Sequence, residues 1–131
     1  MGLFSQAKQK DKLIKYLKEK RISVAEVNGK LEVEFAFPGY GISLFPYFII
    51  NDDENYFSMI VNIKKVSDKK NIELYDKINN FNLSSQYFTL KLSQDNVLFL
   101  EYNTIIDDNI KEIFDLMSDS LNELIEVINN L

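Results

Sequence analysis

The sequence predicts an α+β fold: a single antiparallel β-sheet of three hairpins with three helices packed on it, in the order α-β-β-β-β-α-β-β-α. Three observations carry that expectation. Apolar residues recur at helical spacing near both ends of the chain and once in the middle. Between those segments the apolar period falls to two. Polar turns, Asn28-Gly29 first among them, join the alternating runs.

Residues 3 to about 21 read as the first helix, with Phe4, Ala7, Ile14 and Leu17 at helical spacing and lysines on the other faces. "ISVAEV" and "LEVEFAF" then flank Asn28-Gly29, the favoured pair for a two-residue type I′ turn. Leu31, Val33, Phe35 and Phe37 share one face of the second strand, and Glu32 and Glu34 take the other. Pro38, Gly39 and Gly41 break the pattern before "SLFPYFII". Pro46 cannot donate to a ladder, so this strand is expected at a sheet edge or a bulge. "NDDEN", residues 51–55, is a polar turn, and "YFSMIVNIKKV" returns as the partner strand.

The second helix is expected over 69–82, with Leu74, Tyr75, Ile78 and Phe81 on one side. "QYFTLKL" and "NVLFLEY" form the third hairpin around "SQDN". Asp107, Asp108 and Asn109 offer N-cap oxygens to the last helix. Its apolar stripe is Ile110, Phe114, Met117, Leu121, Leu124, Ile128 and Leu131. Asparagine tolerates the left-handed conformation at helix ends. Asn82 therefore reads as the stop signal of the second helix, with Ser84 and Ser85 supplying turn hydrogen bonds.

Those residues also carry a resemblance. "KINNFNLSSQYFTLKLSQDNVLFLEYNTI" resembles the signature of the YbjN family, which is related in fold to type III secretion chaperones. Asn79 and Asn82 stand three apart on a helix, followed by a short loop, a hairpin with a polar turn and a long C-terminal helix. The match runs from about Ile72 to Leu131, and the N-terminal half agrees in element order. The resemblance implies an antiparallel sheet with helices on it, a protein-binding or regulatory role often with self-association, and no catalytic residues.

Composition narrows the chemistry. The 131 residues are 46% hydrophobic and 13% aromatic, which suits one folded domain over 1–131 with a real core. The chain has no Cys and no His. Disulfides, thiolate or imidazole metal sites, cysteine nucleophiles and histidine bases are thereby excluded. With no paired-acid motif either, the expectation is a non-enzyme without a cofactor. Lack of Cys fits a cytoplasmic protein. No apolar run approaches the roughly 18 residues that span a bilayer, and the N-terminus lacks the apolar stretch of a secretory leader.

The net charge is −5, with lysines crowding the first helix and acids the last. This balance argues against nucleic acid as the main partner. "NDDEN" gathers oxygen ligands that calcium would accept, but lacks the glycine and ligand spacing of an EF-hand loop, so a solvated turn is expected.

The expected partner is a protein or peptide, with a homodimer as one form. Phe37, Tyr40, Phe45 and Tyr47 are the aromatic candidates, because both phases of "LFPYFII" are apolar and aromatics lead among interface anchors. The competing expectation is that the N-terminal helix covers this second apolar face. Asp115, Asp119, Glu123 and Glu126 are the acidic candidates, spaced to line one stripe of the last helix. They support a second function, an inhibitor or immunity-type protein that blocks a basic partner.

Overall fold

The computed structural model describes residues 8–51, 53–67, 72–107 and 109–131. Among these are three helices: α1 (Gln9–Glu19), α2 (Ile72–Ser84) and α3 (Ile110–Asn129). The strands are β1 (Val24–Val27), β2 (Lys30–Val33), β3 (Phe35–Phe37), β4 (Ile42–Leu44), β5 (Tyr47–Asn51), β6 (Tyr56–Lys65), β7 (Thr89–Leu92) and β8 (Val97–Ile105). Six of them form an antiparallel sheet in the order β1-β2-β5-β6-β8-β7, and β3 pairs with β4. The expected class holds and the element order holds roughly: six strands rather than four lie between α1 and α2, and β3-β4 form a second small sheet rather than part of a single one. Phe4 and Ala7, expected on the first helix, lie outside the described residues.

The extra strands come from one kink. Glu32 pairs with Tyr47, Val33 donates to the Pro46 carbonyl at 3.0 Å, and Phe35 pairs with Leu44. The register is unbroken through the interruption, so β2-β3 and β4-β5 are one long ribbon bent at Glu34 and Phe45. Pro46 has no N–H to return to Val33, so that rung keeps one of its two bonds. The expectation of an edge strand is corrected here: β5 lies inside the sheet, between β2 and β6. Proline is tolerated because it sits where the ladder lapses, just before β5 begins.

Asn28 and Gly29 have φ of 51° and 78°, the two left-handed values a type I′ turn demands. At the β5–β6 turn, Asn51 Oδ1 accepts from the N–H groups of Asp53 (3.0 Å) and Glu54 (3.2 Å). The acidic stretch is thus organised as a turn by its first asparagine. A bulge follows in β6, where Asn62 pairs with Phe99 but Lys64 with Leu98.

All three helices contribute to one core on one face of the sheet. Leu13 and Leu17 of α1, Phe81 of α2 and the α3 stripe meet Leu31, Phe48, Phe57, Met59, Val61, Leu90, Leu98 and Leu100. Phe114 is its hub, with ring centroids of Tyr16, Phe35 and Phe48 at 6.2, 5.9 and 5.7 Å. Each contact is edge-on, the arrangement aromatic quadrupoles favour.

Two capping expectations are corrected. Asn109 makes no side-chain cap on α3; its Oδ1 turns back to accept from the Asp107 N–H at 2.9 Å, and Asp108 lies outside the described residues. Asn82 is not a left-handed stop either, for α2 continues to Ser84 and Asn82 has no positive φ. Its carboxamide instead grips the strand beyond. Asn82 Oδ1 accepts the Leu90 N–H at 2.7 Å, and Asn82 Nδ2 donates to the Leu90 carbonyl at 3.0 Å. Leu90 stands opposite Leu100 with these groups turned away from β8, toward the sheet edge. Ser85 Oγ donates to the Phe88 carbonyl at 2.5 Å. The end of α2 therefore occupies the outer edge of β7 at Leu90, a place where unpaired backbone would otherwise invite another strand.

Candidate functional site

Helices cover one face of the sheet; the site lies on the other. Strand alternation sends Val27, Lys30, Glu32, Tyr47, Ile49, Ile60, Asn62, Phe99 and Glu101 to that face. The strict burial of the core phase is absent: Tyr47, Ile49, Ile60 and Phe99 are half-buried, and Val27 is 50% exposed. Helix α1 packs on α3 and β1 on the core side, so it does not cover this second face.

The kink adds depth. Where the ribbon bends at Phe45, it leaves a depression of about 650 Å³ with Val27, Lys30, Glu32, Phe45, Tyr47 and Ile63 in its lining. Phe45 projects from the break in the ladder and is 52% exposed. Lys30 holds its ammonium 4.8 Å from the centre of the Tyr47 ring, a cation–π contact. Burial, and then the nearby Glu101 carboxylate, push the Tyr47 phenol above its ordinary range. Glu101 is itself paired with Lys91 at 2.5 Å. The result is a hollow of mixed polarity, in which Val27, Phe45, Tyr47 and Ile63 lie among Asn28, Ser43 and Asn62 and both signs of charge. That composition suits side-chain docking. Among the described residues, no group of acids is placed to hold a metal.

The aromatic candidates separate. Phe45 and Tyr47 share the depression, and Tyr40 stands exposed at the tip of the β3–β4 arm, outside that lining. Phe37 is 8% exposed and belongs to the core, so its ring is not offered to a partner.

The acidic candidates separate too. Asp115 accepts the Tyr16 hydroxyl at 2.6 Å and has the Lys20 ammonium 3.5 Å away. It is spent on holding α1 to α3, and its hydrogen bond is the main reason the Tyr16 phenol is raised. Asp119 lines a groove beside β3, while Glu123 and Glu126 face solvent. The four do not act as one free stripe.

Val27, Ile60 and Phe99 join the site without having been singled out from the sequence. Their phase in the alternation was the available signal, once the covered face was known. No protein-family model matches the chain, and no curated protein matches it in sequence.

Proposed function

We propose that this chain is a non-enzymatic protein-binding module, a small chaperone-like or regulatory adaptor of the YbjN type. The observation that carries the reading is the sheet face that no helix among the described residues covers, where Val27, Phe45 and Tyr47 line a depression. Exposed aromatics in a shaped hollow are what interface anchors require, because they bury much area at small entropic cost. Self-association through this face is one way to cover it, and light scattering at micromolar concentration reads that directly.

The deciding experiment starts from a partner co-purified with the untagged protein from its native cell. Affinity is then measured at low and high salt for three forms: wild type, Phe45→Ala with Tyr47→Ala, and Glu123→Lys with Glu126→Lys. The expected result is a loss confined to the aromatic pair, with little salt dependence, since apolar burial is not screened. An acidic-helix inhibitor of a basic partner gives the opposite pattern. Glu123 and Glu126 are exposed on α3, so that outcome would move the function to the helix.

A further inference from the structure

A second binding surface lies on the other side of the ribbon. A cavity of about 510 Å³ lies between β3 and α3, with Lys20 and Ile22 also in its lining. One wall is residues 34–37, four in succession. Side chains of a strand alternate between faces, so four consecutive residues share one cavity only where the strand's edge forms its wall. The ladder confirms the orientation. Val33 donates to Pro46, and hydrogen-bonded residues alternate along an antiparallel pair. Phe35 and Phe37 therefore turn their backbone groups to β4. Glu34 and Ala36 turn theirs to the opposite edge, along the line β1 would follow had it not begun at Val24.

The opposite wall is polar and carries unspent capacity. Asp115, Ser118, Asp119 and Asn122 repeat along one side of α3. Lys20 is committed to Asp115, but no hydrogen bond or ion pair among the described residues engages Asp119 or Glu34. Ser118 Oγ is buried there without a hydrogen-bond partner. Half-buried Phe35 supplies apolar surface within the same cavity, in front of the core residues Phe37 and Phe114.

We propose that this groove takes an extended segment of a partner protein that carries lysine or arginine, added to the edge of β3 as a further strand. The proposal rests on the binding-module reading and specifies the chemistry of the partner. Backbone groups of Glu34 and Ala36 bond the incoming strand, as in β-augmentation. The phase of its side chains that faces α3 enters the cavity beside Phe35 and meets Asp119 with its basic group, and a basic residue in the other phase meets Glu34. A short acidic or helical segment satisfies neither wall.

The test is a selection of random peptides displayed on phage against the full chain. It is followed by amide chemical-shift mapping of the isotopically labelled protein with the synthetic form of the enriched peptide. The expected peptides carry Lys or Arg, and the shifts centre on Glu34–Phe37 and on residues 115–122 of α3. Methylating alternate backbone amides of the peptide weakens binding by about tenfold or more in one phase and little in the other, as lost strand bonds require. This arm leaves the protein unaltered. Asp119→Lys weakens binding by about tenfold, checked against an unchanged thermal midpoint. Enrichment of neutral or acidic peptides, indifference to the methylated phase, or no enrichment at all overturns the proposal. Shifts centred on Phe45 and Tyr47 overturn it while leaving the binding-module reading standing. Loss of that reading would appear instead as a co-purified partner indifferent to both faces.

Discussion

Asn82→Leu removes both hydrogen bonds to Leu90 while roughly keeping side-chain volume. Each bond contributes about 1 kcal/mol net, and a deserted buried group costs at the upper end of that range. Leu90 is 1% exposed, so its orphaned N–H and carbonyl are poorly placed to recover water. The expected loss is about 2 kcal/mol. With an unfolding entropy of about 2.1 cal/mol/K per residue over the chain's 131 residues, the thermal midpoint falls by about 7 °C. The assay is chemical denaturation of wild type, Asn82→Leu, Asn82→Gly and Asn79→Ala, with amide exchange at Leu90 as the local readout. Glycine separates two mechanisms. If Asn82 ended α2 in the left-handed conformation, glycine would be harmless or stabilising. If Asn82 is a strand partner within the last helical turn, glycine costs at least as much as leucine, because it also loosens the helix. Asn79 is exposed, and its replacement is expected to change stability by less than about 0.5 kcal/mol. A stable Asn82→Gly protein with unchanged Leu90 exchange would refute the reasoning.

Two further outcomes follow from the core and the candidate face. Phe114→Ala empties the aromatic hub and should cost about 3–5 kcal/mol; a change under about 1 kcal/mol in denaturant would mean that Tyr16, Phe35 and Phe48 close the gap. Tyr47 should ionise above the ordinary tyrosine value of 10.0 in an ultraviolet titration. The folded state then holds that proton more tightly than the unfolded chain, so its contribution to stability is intact below pH 10.0 and lost as pH rises through the folded value. Tyr47→Phe should flatten this alkaline loss, and an unaltered alkaline limb would exclude Tyr47 as its source.

Local chemistry in this sequence was readable and pairing at a distance was not. Asn28-Gly29 needs two positive φ values that few other residues supply, so its turn declares itself. The α3 stripe is long and regular: Ile110, Phe114, Met117, Leu121 and Ile128 are buried as expected, Leu124 and Leu131 are only half-buried, and Ile113, Ser120 and Ile125 are buried beside them. Asn82 was misread because one carboxamide can end a helix or imitate a strand, and its partner Leu90 had no mark of its own. Pro46 was misplaced because its rule concerns a missing donor, while its position depended on where the ribbon kinked. Asp115 looked like surface charge until α1 brought Tyr16 and Lys20 against it from the far end of the chain. The candidate face was half legible. The surplus of aromatics was visible, but choosing Phe45 and Tyr47 over Phe37 required knowing which phase the helices cover.

The clasp of Asn82 and Ser85 on β7 has a consequence for assembly. The six-stranded sheet has two borders, β7 and β1, and among the described residues side-chain hydrogen bonds grip the first, at Leu90. A sheet open at both borders can recruit copies without limit and grow into a filament. With that border gripped at Leu90, growth of the six-stranded sheet is favoured along β1. Should this protein multiply along that sheet, Asn82 disfavours one of its two directions of growth.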